Sequence, residues 1–391
     1  MDFRGAAITM SENIPLRVCY FGTYRSEYSR NQVMIEGLRR FGVEVIECQE
    51  QLWRGVEDRV QATSGGWLKP AFWGRILRAY ARLLKRYRSL PVYDILVVGY
   101  PGQFDVFLAR LLSRLRRKPL AWDVFMSIYL IALERGLDRH SRLTVSLIRK
   151  VEQMALRLPD LLIQDTAEYV DWLHATHGIS PGRFGLVPTG ADDRTFRPAL
   201  QVEPPGDTFR VVYYGTFIPN HSVETIVEAA RLLADQPGIH FELIGQGPDR
   251  EKCQEMAKGY HLENVTFVDW LDKEALVERA ARADICLGAF GVTPQSLMTV
   301  QNKIFEGLAM GRAMITGDGP AVRAAFRHGE HLYLCERKNP AALADAIKAL
   351  QNDPELRNRL GQNGYCLFTE KYNLAGIGRQ YASHLSKLAK K

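Results

Sequence analysis

Short apolar runs alternate with longer helical periodicities along this chain, and the alternation plays through twice. In the first half the runs fall at Leu16–Phe21, Val43–Cys48, Ile95–Tyr100, Leu120–Phe125, Leu161–Gln164 and Gly185–Pro188. Several are nearly continuous, the pattern of parallel strands covered by helices on both faces. Helical spacing fills the gaps at Asn31–Phe41, Arg75–Arg88, Phe104–Arg116, Leu143–Leu156 and Glu168–His177. The segment Arg197–Asp207 then brings three prolines and a glycine, which read as a linker. Strands resume at Arg210–Tyr214, His240–Ile244, Val265–Val268, Ile285–Phe290, Ala313–Thr316 and Leu332–Cys335, with helical patterns between them. The reading is α/β: two tandem Rossmann-like domains facing across a cleft. Residues 1–198 form the first and 209–371 the second, and a helix over 372–391 is expected to pack back on the first. At 391 residues, each domain can bury a core of its own.

The net charge of +7 is uneven. Residues 1–200 carry 29 Lys or Arg against 21 Asp or Glu, while the remainder is nearly balanced. The first half therefore suits an acidic partner such as lipid head groups or a phosphorylated acceptor; no nucleic acid is expected. Six cysteines lack metal-ligand spacing and read as buried apolar residues in a reducing compartment. The N-terminal residues lack a signal-like apolar core, and no apolar run is long enough to span a bilayer. The expected location is cytoplasmic, peripheral at the inner membrane face. Trp67–Arg88 holds no acid and reads as a basic amphipathic helix for an anionic membrane. Its apolar face would be Ile76, Tyr80, Leu83, Leu84 and Tyr87.

Open parallel sheets bind ligands beyond the carboxyl ends of their strands. Three segments of the second half stand there. Gly215-Thr-Phe-Ile-Pro-Asn-His-Ser222 opens a helix, whose free N–H groups suit phosphate, with His221 as an added donor and Ser222 as a cap. Gly245-Gln-Gly-Pro248 lets backbone approach a ligand. Gly288-Ala-Phe-Gly291 leads to Asn302-Lys-Ile-Phe-Glu-Gly-Leu-Ala-Met-Gly311, which sets Lys303 and Glu306 on one short helix. The bland account of that pair is an exposed i,i+3 ion pair. In the first half, Gly22 suits a tight strand exit, Arg25 and Arg30 lie in a polar loop, and Asp165-Thr166 follows a strand end.

These strings, with Ala-Asp-Ile-Cys-Leu-Gly at 283–288 and Val-Pro-Thr-Gly-Ala-Asp at 187–192, resemble the family 4 (group 1) glycosyltransferases of the GT-B fold. The resemblance implies transfer of a sugar, with retention and without a metal or other cofactor. The donor would be a nucleoside-diphosphate sugar and the acceptor a glycan, lipid-linked or other small molecule. It implies that Glu306 accepts from the ribose and that Gly245, Gln246 and Gly247 lie near the base. Phe290, Gly291 and the loop to Met298 would approach the diphosphate and sugar, beside Gly22, Gly215, Thr216, His221 and Asn302. Thr216 and His221 stand where the family has Arg and Lys, so Lys303 is expected to substitute as the catalytic cation. Met298 stands where the family's first paired glutamate falls. Asp123 takes the place of a family His and is expected to orient sugar or acceptor. Two alternatives remain: a donor-binding subunit without catalysis, and a sugar-nucleotide epimerase on the same fold.

Overall fold

A computed structural model describes residues 15–52, 70–199, 208–236 and 238–390. The motifs above fall within these spans, save Trp67–Lys69 of the basic segment and most of the proline-rich linker, which lie outside them. The first sheet comprises β1 (Arg17–Gly22), β2 (Glu44–Gln49), β3 (Ile95–Val98), β4 (Leu120–Asp123), β5 (Leu161–Gln164) and β6 (Phe184–Leu186). Its order is β2-β1-β3-β4-β5-β6, and each pairing is parallel, with Val18 opposite Ile95 and Leu96 opposite Leu120. The second comprises β7 (Phe209–Tyr214), β8 (Ile239–Ile244), β9 (Val265–Val268), β10 (Ile285–Leu287), β11 (Ala313–Gly317) and β12 (Tyr333–Cys335). Its order, β12-β11-β10-β7-β8-β9, puts the reversal between β7 and β10, where a ligand crevice opens.

Right-handed crossovers fix which face each helix covers. In the first domain α1 (Ser29–Arg40) covers one face. The other carries α2 (Pro70–Arg88), α3 (Asp105–Arg116), α4 (Ile128–Glu134), α5 (Leu137–His140), α6 (Arg142–Arg157) and α7 (Ala167–His177). Strand side chains therefore bury on both sides: Phe21, Leu96 and Trp122 face α2, α3 and α6, while Tyr20, Val97 and Ala121 face α1. The second domain adds α8 (Val223–Leu232), α9 (Arg250–Gly259), α10 (Lys273–Ala281), α11 (Pro294–Met298), α12 (Asn302–Ala309), α13 (Pro320–Ala325), α14 (Pro340–Asn352) and α15 (Pro354–Leu367). The chain then returns, and α16 (Leu374–Ala389) packs on α1 through Leu374, Ile377, Tyr381 and Leu385. Gly37 and Gly378 make that crossing close: a Cβ on Gly378 would stand 1.8 Å from the Gly37 carbonyl oxygen.

The α2 segment departs from its expected use. Leu83 and Tyr87 lie in the core with Tyr80 and Leu84 packed against it, so this apolar face covers the first sheet and is closed to a bilayer. On its outer side Arg82 and Arg86 pair with Glu50.

Candidate functional site

The site grows from the carboxyl ends of β7, β8 and β10. Gly215 leaves β7 at φ 146°, a conformation that side chains rarely adopt. A Cβ there would stand 2.7 Å from Lys303 Nζ, so the lysine lies directly beneath this turn. Gly245 and Gly247 serve the same turn. A Cβ on Gly245 would reach 2.0 Å from the Gly215 oxygen, and one on Gly247 would reach 2.5 Å from the Phe217 oxygen. Their chief role is to let the 245–248 and 215–217 loops meet backbone to backbone. Gly291 repeats the device against Pro219 and Asn220, at 2.4 Å from each carbonyl oxygen.

Lys303 is the electrostatic centre of the arrangement. Its side chain is buried, with Nζ 4.3 Å from the centre of the Tyr213 ring. It donates to Tyr213 Oη at 3.3 Å and meets His221 Nδ1 at 3.2 Å. No carboxylate lies within ion-pair distance among the described residues, so the bland account of an exposed pair with Glu306 does not hold. Burial pushes the ammonium down to about 7, while the charge of Glu306 works the other way. Glu306 keeps part of its surface open, one helical turn along α12, but burial still pushes its carboxyl up to about 7 against the pull of Lys303. Tyr214 lies beside it and donates to the Lys303 carbonyl.

His221 departs from the expected phosphate donor. Burial, then Lys303, holds it well below its usual pKa, so it is neutral. Its Nδ1 lies 2.7 Å from the Thr216 carbonyl and 3.2 Å from Lys303 Nζ. A proton on Nδ1 serves the carbonyl; a lone pair there serves the ammonium. The imidazole tautomer and the lysine charge are thus linked. Ser222 is also not the expected cap: it is left-handed at φ 49°, with no capping bond, and its hydroxyl meets Thr225.

Other expected residues separate by environment. Thr216 and Gln246 are exposed, and Gln246 donates to Asp269. Asn302 is half-buried at the first turn of α12. Phe290 is corrected: its ring is in the core, and its N–H bonds the His221 carbonyl, which leaves neither free for a ligand. Gly22 is explained by Asp105, whose carboxylate would stand 2.7 Å from a Cβ at that position and binds Thr23 and Tyr80. Asp123 is corrected as well. It is fully buried and takes Arg30 through both oxygens, at 2.8–3.2 Å. Arg30, read from sequence as a polar-loop residue, is equally buried and also holds the Val187 and Pro188 carbonyls. This pair ties α1 to the ends of β4 and β6 and has no surface to offer a substrate.

Residues that the sequence left unmarked complete the site. Arg337, just past β12, is buried and donates to the carbonyls of Ala289, Gly291 and Asp318 and to Ser296 Oγ. Burial lowers it to about 10. Its position after a strand end was the available signal. Glu134, at the end of α4, crosses the cleft: it accepts from the Gln295 amide at 2.8 Å and from Asn220 Nδ2 at 3.1 Å. Lys273 donates to Gln32 across the same gap. Thr166, which the sequence did mark at a strand end, caps α7 and also donates to the Met298 carbonyl of the second domain. Asp165 beside it is buried, neither of its oxygens has a hydrogen-bond partner among the described residues, and burial pushes it up to about 7 against Arg30.

Two six-stranded parallel-sheet domains with flanking helices make the GT-B fold. The fold resembles sucrose-phosphate synthase from Thermosynechococcus elongatus, with a TM-score of 0.70 over 96% of this chain and 98% of that one, at 18% identity. It also resembles HepE from Anabaena, solved with UDP, with a TM-score of 0.66 over 96% and 100%, at 13% identity. Residues 199–366, the second domain, match the model of the glycosyl transferases group 1. Among curated relatives, the α-D-kanosaminyltransferase of Streptomyces kanamyceticus is 28% identical over 175 residues, 44% of each chain. The lipopolysaccharide core glycosyltransferase LpsD of Rhizobium meliloti is 26% identical over 174 residues, 43% of this chain and 48% of that one. The chain thus spans about half the length of these curated relatives.

Proposed function

We propose that the protein transfers a sugar from a nucleoside diphosphate to a glycan or lipid-linked acceptor, with retention. The observation that carries this reading is the buried Lys303 ammonium, held without a carboxylate under the Gly215 turn. A buried cation is costly unless a counter-charge arrives. A diphosphate entering at the switch point supplies one. Glu306, half-buried on the same helix, would accept from ribose hydroxyls in this reading. Arg337 fixes the 289–296 loop; the amides of Ala289, Phe290, Gln295 and Ser296 are already bonded within the protein, so those of residues 291–293 would meet the leaving group in this reading. HepE was solved with UDP and with UDP-glucose, which makes UDP the first probe.

In this mechanism the second domain holds the donor, and closure brings the first domain's acceptor to the sugar. Charge grows on the diphosphate as the glycosidic bond breaks. Lys303 stabilises that charge, and the diphosphate oxygen takes the acceptor proton on the same face. The sequence has no D-x-D pair to hold an ion against the diphosphate. Turnover of UDP-sugars is therefore expected to survive EDTA. Full loss that magnesium or manganese restores would contradict the metal-free part of the reading.

Glu306 gives a binding test. Hydrogen bonds to a charged group contribute roughly 1.5–3 kcal/mol each. Glu306→Ala is thus expected to lower UDP affinity by about tenfold or more in calorimetry, with the fold intact. In the unmutated protein 2′-deoxy-UDP should show a matching loss. Unchanged UDP affinity in the variant would remove Glu306 from ribose recognition. Transfer from UDP-glucose or another UDP-sugar to any acceptor separates a transferase from a donor-binding subunit, which would bind UDP and turn nothing over.

A further inference from the structure

We propose that the first domain sets the shape of the 289–298 segment of the second, and that Glu134 is the positioning residue on which this depends. The inference rests on the reading above, which puts that segment against the leaving group. Its starting point is α11, a helix of five residues bonded to the first domain at both ends. At the N-terminal turn, Glu134 accepts from the Gln295 amide at 2.8 Å. At the last residue, the Thr166 hydroxyl donates to the Met298 carbonyl. The Met298 side chain also crosses over. It is buried in the first-domain core cluster that holds Leu130, Tyr169 and Leu173, and it belongs to neither core cluster of its own domain. A helix this short is not stable by itself, so what holds it is supplied by its surroundings. Here those surroundings are largely the other domain. An apolar anchor thus stands where the family resemblance puts a glutamate.

Glu134 carries the polar half of this tie. Its side chain is half-buried, and its two oxygens meet two N–H groups, Gln295 N at 2.8 Å and Asn220 Nδ2 at 3.1 Å. Both donors belong to the second domain. Among the described residues the carboxylate has no side-chain bond or ion pair within its own domain, so the first domain does not need it to fold. From Asn220 the network runs inward. The Asn220 carbonyl accepts from Ser296 Oγ at 2.7 Å, and Ser296 Oγ accepts from Arg337 Nη1 at 3.0 Å. Arg337 also holds the Gly291 carbonyl at 2.8 Å. The segment is therefore pinned at Gly291 from inside its domain and at Gln295 from across the cleft, with the amides of residues 292 and 293 between. A carboxylate suits the outer pin because it only accepts. A glutamine at 134 would turn an N–H toward one of the two donors and keep a single bond. Coupling of this kind is reciprocal: a nucleotide that orders the segment must also hold the last turn of α4 against it.

The test is hydrogen exchange of the full chain, free and with UDP, on the parent, Glu134→Ala and Glu134→Gln. Without ligand, amides between residues 291 and 298 are expected to exchange about tenfold faster in Glu134→Ala, with β7, β8 and β10 unchanged. Glu134→Gln should fall between the two, and so should Asn220→Ala, which removes one bond of the pair from the other side. Calorimetry should give a UDP affinity lower by about tenfold in Glu134→Ala, since the segment is then no longer held for the ligand. UDP should slow exchange at residues 128–134 in the parent and not in Glu134→Ala, an effect across domains that a local structural role would not produce. Unchanged exchange of the 291–298 amides in Glu134→Ala would overturn the inference, and so would UDP protection of 128–134 that survives in that variant. A parent that binds no UDP would remove the nucleotide reading instead, while exchange in the free variants still decides what Glu134 holds.

Discussion

Lys303→Met is expected to reduce UDP affinity by on the order of ten- to a hundredfold while making the free protein more heat-stable. The first effect follows from losing a charge-assisted contact to the diphosphate, worth roughly 1.5–3 kcal/mol. The second follows from the same burial. The lysine falls from an ordinary 10.5 to about 7 in the folded protein, so the fold opposes its charge. Below pH 7 both folded and unfolded chains carry that proton, and the destabilisation is complete. Between about 7 and 10.5 the unfolded chain holds the proton and the folded one does not, so stability rises with pH relative to the variant. The Tm advantage of Lys303→Met should thus be largest in acid and shrink toward pH 10. Nucleotide binding carries the opposite demand. It needs Lys303 charged and Glu306 ionised, and each has a folded pKa of about 7. Affinity is therefore expected to peak near pH 7 and fall on both sides, with Lys303→Met flattening the alkaline limb and Glu306→Gln the acid one. Calorimetry across pH 5–9 reads both limbs. A variant that binds UDP as tightly as the parent would remove Lys303 from the anion site.

That site was only partly legible in the sequence, for physical reasons. Apolar runs, several of them nearly continuous, marked all twelve strands; a central strand such as Ile95–Val98 is apolar at each position because both its faces are buried. Boundaries drifted at strand ends. Ile285–Phe290 ends at Leu287, where the chain turns over Asn220, and Leu120–Phe125 ends at Asp123. The short helix Pro294–Met298 went unread because five residues give no periodicity. Lys303 and Glu306 were legible as a pair on one helix, but spacing cannot tell an exposed ion pair from two separately buried charges. Arg337 and Glu134 were invisible as site residues. Their importance comes from the loops they touch, 46 and 161 residues away along the chain, and local pattern carries no such contact. The amphipathic helix Pro70–Arg88 shows the same ambiguity: an apolar stripe does not say whether a sheet or a bilayer covers it. Here the sheet does.

Asp123→Ala is expected to be the most damaging substitution in the first domain, acting on stability rather than on chemistry. The carboxylate sits at the end of β4 and holds Arg30 through both oxygens, with both side chains fully buried. Replacing such a pair by apolar groups can be nearly neutral, but removing one partner leaves a bare buried charge and costs about 3–5 kcal/mol. In a domain of this size each kcal/mol lowers Tm by roughly 2–4 °C, so a fall of about 10 °C is expected. Arg30→Met with Asp123→Leu should recover much of it, because no charge is then stranded. Arg30 also donates to the Val187 and Pro188 carbonyls, so α1 and the chain leaving β6 should loosen together in the single variant. UDP affinity should hold below the melting range, since the anion site lies in the other domain. Thermal unfolding, calorimetry and single-turnover kinetics on Asp123→Ala and the double variant decide the matter. An unchanged Tm with a large loss of turnover would return Asp123 to the mechanism, and a double variant as unstable as the single one would show that the pair does not act through its charge.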